Sequence, residues 1–133
     1  MAITTNRSLP TVVFEERRKR RSRDRGKALR YLLEHSRERG GFEAMAVADG
    51  EGLAVGRAGD AGLCRELAAV APLLGRALFG LPLPQRLKGA EVVLRSVPVH
   101  QQDLYLVAIG GHAARDAVLD HTATGVRRIL QTN

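Results

Sequence analysis

The stretch Gly41-Phe-Glu-Ala-Met-Ala-Val-Ala-Asp-Gly-Glu-Gly-Leu-Ala-Val-Gly56 decides the fold. Phe42, Ala44, Ala46 and Ala48 fall on one face of an extended chain, and Glu43, Met45 and Val47 on the other, which is the period of two that a strand requires. Asp49-Gly50 suits the positive φ angles of a tight hairpin turn, and Gly52 is placed to absorb a bulge. Leu53–Gly56 then runs back as the second strand. One face of this hairpin is nearly all Ala and Gly, so a bulky element, most simply a helix, can approach it closely.

Working outward from the hairpin, the next segment supplies that helix. Asp60 is a plausible N-cap, and Leu63, Leu67, Val70, Leu74 and Leu78 recur at helical spacing as far as about Phe79. Cys64, Ala68 and Ala71 broaden the apolar stripe, while Pro72 inside it predicts a kink or break. Gly80-Leu-Pro-Leu-Pro84 forms a loop, and Gln85–Lys88 is compatible with one further short strand. Ala90–Val97 is strand-like, with Pro98 marking an edge or bend, and Gln101–Asp103 reads as a polar turn. Leu104–Gly110 is apolar on both faces, as in a central strand. A last helix follows Gly111-His112, with Val118, Leu119, Ala123, Val126, Ile129 and Leu130 on its buried side and Gly125 marking a close approach.

On the other side of the hairpin, residues 1–13 read as an arm with a short extended piece. A helix spans Glu15 to about Arg39, ended by Gly40-Gly41. Only its last third, around Leu29, Leu32, Leu33 and Ser36, carries an apolar stripe. The Arg17–Arg25 part should project from the body or fray. We therefore divide the chain into a basic, partly disordered arm, 1–26, and a folded domain, 27–133.

The 133 residues carry a formal net charge of +7. Between Glu15 and Gly40 there are eleven basic and five acidic residues, so the positive charge belongs to one segment and the body is nearly neutral. The single cysteine, Cys64, excludes an internal disulfide and fits a reducing, cytoplasmic compartment. No apolar run approaches the length of a bilayer span, and no secretory h-region is present at the start. Membrane insertion is not expected.

Three pieces together resemble a known family: AMAVADGEGLAVG (44–56), ELAAVAPLLGRAL (66–78) and DLYLVAIGG (103–111). They are similar to the apolar strand, Asp-Gly turn and second strand, the Ala/Leu-rich helix and the strongest strand of roadblock domains. That family includes the dynein light-chain roadblock proteins and prokaryotic regulators of Ras-like GTPases. The resemblance covers roughly residues 28–131. It implies a roadblock/profilin-like α+β fold (α/β in the broad sense) with a central antiparallel sheet of about five strands, in the order α-β-β-α-β-β-(β)-α. One long helix would cover one face and two the other. It also implies a homodimer through the second helix, at Leu63, Leu67, Val70 and Leu74, and a small Ras-like GTPase as partner. Two features depart from the family: Pro72 lies in the dimerisation helix, and the Arg17–Arg25 run matches no family motif.

Other motifs are weaker. Gly50, Gly52 and Gly56 lie in a hairpin and lead into no helix N-terminus that could hold a phosphate, and no P-loop is present. Cys64 on an apolar helix face reads as a buried structural thiol rather than a nucleophile paired with His100 or His112. His112, Asp116 and Asp120 share helical spacing, with His121 nearby, yet a solvated face explains them better than a metal site. No cofactor, metal or catalytic residue is assigned. The run Arg17–Arg25 would suit phosphate contacts, but no aromatic residue is interleaved to stack on bases. The sequence therefore reads as a non-enzymatic adaptor or regulator of a small GTPase, with partner contacts at Arg17, Arg18, Arg20, Arg21, Glu43 and Arg57. The alternative is a nucleic-acid-associated protein that uses the Arg-rich arm.

Overall fold

In a computed structural model, the structure describes residues 2–76 and 91–131, with side chains from Glu16 onward. The elements are α1 (Ala2–Gly40), β1 (Phe42–Ala48), β2 (Ala54–Ala58), α2 (Ala61–Gly75), β3 (Val92–Val99), β4 (Gln102–Gly110) and α3 (Arg115–Gln131). The strands form one antiparallel sheet in the order β2-β1-β4-β3. Four strands are present among the described residues, one fewer than expected, and the optional strand at 85–88 lies outside them.

Strand β1 is paired on both edges and buried on both faces. On one face Ala44, Ala46 and Ala48 present only methyl groups, and α2 lies across them with Leu63, Cys64, Leu67, Ala68 and Ala71. On the other face Met45 and Val47 meet Leu29 and Leu33 of α1 and Val118, Leu119 and Val126 of α3. One helix thus covers one face and two cover the other, as the resemblance implies. Each fully buried Leu in these layers contributes about 1.5–3 kcal/mol relative to exposure.

Phe42 belongs to the Met45 face, not the alanine face. The register against β4 shifts between Phe42 and Ala44, and that irregularity turns Phe42 over. The hairpin turn also differs from a two-residue Asp-Gly turn. Neither Asp49 nor Gly50 has positive φ; Gly52 does, at 85°. The Asp49 carboxylate is the reason: its Oδ1 accepts the amides of Glu51 and Leu53 at 2.9 and 3.0 Å, a local turn that a short polar side chain favours. The return strand runs from Ala54 to Ala58, past the expected end at Gly56. A Cβ there would fall 2.6 Å from Leu29 Cδ2, so only glycine lets α1 lie this close. Gly125 does the same for Leu32, at 2.8 Å, and this is the close approach the sequence marked in α3.

Asp60 caps α2 through its Oδ2, 2.8 Å from the Leu63 amide. Pro72 is buried and does not break the helix, which continues to Gly75 with the Arg76 amide on the Pro72 carbonyl at 3.1 Å. Its remaining cost is the unmade bond to the Ala68 carbonyl. Residues 77–79, the expected helix end, lie outside the described set. Strand β3 passes through Pro98 to Val99, which its edge position allows. The β3–β4 turn therefore falls on His100 and Gln101, with φ of 51° and 79°, rather than on Gln101–Asp103. Residues 2–13 of the stretch 1–13, expected as an arm with an extended piece, are the first turns of α1.

Two substitutions probe this architecture. Replacing His100-Gln101 by Asn-Gly should raise the unfolding free energy by about 1–2 kcal/mol, because Asn tolerates the left-handed region and Gly adopts it freely where His and Gln do not. Ala46→Leu should lower it by about 1–3 kcal/mol by forcing α2 off the sheet. Denaturant midpoints at constant slope read both.

Candidate interaction surface

Several titratable groups of the body hold elements together. Arg95 of β3 places Nε 2.7 Å from Asp120 and Nη2 3.3 Å from Asp116, which ties the edge strand to α3 and raises the guanidinium pKa, chiefly through Asp120. Arg115 pairs with Glu91 at the start of β3, and this hydrogen bond holds the Glu91 carboxyl below the usual carboxylate range. Both pairs are solvent-exposed, so each contributes little to stability. His112 precedes α3 and faces the end of α1: its Nε2 donates to the Arg39 carbonyl at 2.8 Å, and its Nδ1 accepts the Ala114 amide at 3.1 Å. The three residues with helical spacing are thus divided between two structural tasks. Among the described residues, no three His, Cys, Asp or Glu side chains cluster as metal ligands would.

Cys64 lies between α2 and the hairpin, with Sγ 3.2 Å from the Ala58 carbonyl and 3.4 Å from that of Met45. Burial pushes its thiol pKa up, against the smaller lowering effect of those two bonds. A thiol held protonated and covered is a poor nucleophile. Between α1 and α3, the hydroxyls of Ser36 and Thr122 lie 2.7 Å apart, the only buried polar residues of the core among those described.

What the surface offers is therefore charge and backbone. Arg17, Arg18, Arg20 and Arg21 are exposed on the continuous helix α1. At about 1.5 Å per residue, the part of α1 before Arg23 extends roughly 30 Å. Arg57 lies exposed on β2, opposite Ala46 of β1. Glu43 is three positions farther along β1, at the register shift, where its carbonyl accepts Arg37 Nε at 3.0 Å. The structure thus brings Arg57 close to neither Glu43 nor the distal arginines. It places Arg57 instead in a groove with Arg23, Gly26, Lys27, Arg30, Val55 and Gly56, about 350 Å³ in volume. Arg23, Lys27 and Arg30 are not among the partner contacts expected from sequence, although their i, i+4, i+7 spacing is the signal of one helix face.

Of the four residues expected at a dimer interface, Leu63, Leu67 and Val70 are filled by the protomer's own core against the sheet. Leu74 is 38% exposed, and with exposed Ala69 and half-buried Leu73 it forms the apolar part of the outward side of α2. Among the described residues, no helix is long and apolar enough to cross a membrane.

Cys64 should resist alkylation at pH 8 in the native state, with a labelling rate that tracks global unfolding across a denaturant series. Fast labelling without denaturant would contradict the buried, protonated thiol.

No family model matches the sequence, and no curated protein matches it. Solved structures do. The chain is similar to Myxococcus xanthus MglB, with a TM-score of 0.56 at 14% identity over 77% of this chain and 87% of that one. It is similar to an MglB described as having a tetrameric arrangement, with a TM-score of 0.56 at 16% identity over 80% and 90%. A gliding protein, MglB from Thermus thermophilus, matches with a TM-score of 0.53 at 14% identity over 80% and 91%. Element order, sheet order, helix layers and structural likeness agree: the chain has a roadblock-type α+β fold.

Proposed function

We propose that this chain is a non-enzymatic regulator or adaptor, acting in the cytoplasm, that dimerises and binds a small Ras-like GTPase or a complex containing one. It would tune the nucleotide state or location of that partner without a catalytic site of its own. The observation that carries this reading is the likeness in fold to MglB structures over most of both chains. One of those MglB structures has a tetrameric arrangement, which supports assembly of more than one copy here. The side-chain chemistry is compatible with it: the thiol is buried and the carboxylates of β3 and α3 are engaged by arginines.

In this reading the dimer forms through the outward side of α2, with Leu74, Leu73 and Ala69 in contact, since Leu63, Leu67 and Val70 are already covered. The nearly neutral body recognises its partner by shape and apolar contact, and Arg17, Arg18, Arg20 and Arg21 add mainly to the association rate. Residues 1–26 are separable from a domain of 27–133. The exposed arginine face of α1 keeps one alternative in view, phosphate contacts to nucleic acid.

The test immobilises the protein and offers Ras-like GTPases from the same cell, loaded with GDP or a GTP analogue. Deleting residues 1–26 should slow association and flatten its salt dependence while leaving dissociation nearly unchanged. In sedimentation at micromolar concentration the protein should show about twice the chain mass, and Leu74→Arg should reduce it to one. If no GTPase binds in either state, while duplex DNA binds with a steep salt slope that requires residues 1–26, the nucleic-acid reading replaces this one.

A further inference from the structure

The groove between α1 and β2 joins three properties. First, one wall is a stripe of cations: Arg23, Lys27 and Arg30 lie along one helix face, with Gly26 between them, where a Cβ would meet nothing within 4 Å. No acidic residue lines the groove, and among the described residues none of these three cations makes an ion pair. Second, the other wall is the edge of a sheet. Among the described residues, strand β2 pairs with β1 on one side only, so its other side carries main-chain N–H and C=O groups without a strand partner there. Third, that edge is guarded only in part: it is short, shifts register at Val55 and carries one charge at Arg57, but it has no proline, and Val55 is 45% exposed in the groove.

We propose that this groove binds an extended acidic peptide segment, which adds to β2 as a further strand and pairs its carboxylates with Arg23, Lys27 and Arg30. Along α1 these cations are separated by rises of about 6 and 4.5 Å, less than the roughly 6.8 Å between same-face side chains of an extended chain, a difference that long, flexible arginine and lysine side chains span. The register shift at Val55 confines the regular free edge to about Gly56–Ala58, which is too short to hold a strand by backbone bonds alone. Affinity therefore depends on charge, and charge supplies the selection for acidic sequences. A nucleic acid is the poorer occupant, because no aromatic side chain lines the groove for base stacking and the backbone edge would go unused. This surface is separate from the outward side of α2, and its role does not depend on the GTPase reading.

The test measures fluorescence anisotropy of a labelled peptide of alternating glutamate and valine against the full chain. The lysine-valine counterpart, two glutamate-valine peptides N-methylated either at the valines or at the glutamates, and a short DNA duplex serve as comparisons. The acidic peptide should bind and the lysine peptide should not. At least one N-methylated peptide should lose about tenfold in affinity. The combined Arg23→Glu, Lys27→Glu and Arg30→Glu variant should also lose about tenfold, while Arg17→Glu, Arg18→Glu and Arg20→Glu together should lose less than about threefold. None of these six side chains is buried, and a thermal transition within a few degrees of the parent establishes that each variant is folded. The proposal is overturned if neither N-methylation matters, if the two charge-reversed variants lose equally, or if the duplex binds more tightly than the acidic peptide through the same three cations.

Discussion

The close approach of α2 to the alanine face of β1 is the constraint on which the rest of the structure depends. Ala44, Ala46 and Ala48 are fully buried and add no bulk, so Leu63 and Leu67 reach the sheet and Cys64 can hydrogen-bond to the backbone beneath it. A larger side chain at any of the three would lift the helix and open both layers. Because β1 is also paired on both edges, its position sets that of β2 and β4, and through β4 that of β3. The opposite face must then take the large side chains, and it does: Met45 and Val47 pack against Leu29, Leu33 and Leu119.

The same economy of bulk governs α1. Glycine at 56 and 125 lets the helix settle against both β2 and α3, with Leu29 and Leu33 on one and Leu32 on the other. The His112 ring then holds the carbonyl of Arg39 at its end. One helix is thus anchored at its C-terminal third and densely charged from Glu16 to Arg30. Solvated arginines add little to stability, so Arg17, Arg18, Arg20 and Arg21 of this helix have little packing role. Its cations reach the body at the free edge of the sheet, and this is where helix charge and strand backbone meet.

The buried thiol, the arginine–carboxylate pairs between β3 and α3, and the histidine at the end of α1 each serve the architecture. Among the described residues, other exposed features are the cations of α1, the outer edge of β2 and a small apolar patch around Leu74. Surfaces of this kind recognise other chains through complementarity of shape and charge.

Periodicity alone determined most of the architecture. The alternation at 42–48, the stripe from Leu63 to Leu74 and the apolar run 104–110 placed a hairpin, a helix and a central strand close to where they stand, because burial imposes periods of two and 3.6 directly on the residues. The resemblance carried by those same stretches named the fold. Tertiary structure decided what depends on a neighbour. The flip of Phe42 comes from pairing with β4. Leu63, Leu67 and Val70 looked available to a partner because an apolar stripe does not say whether its own sheet or a second chain will cover it. The groove beside β2 was invisible for a similar reason: Arg23, Lys27 and Arg30 are distant in sequence from Val55–Arg57, and only the packing of Leu29 on Gly56 brings a row of cations to an open strand edge.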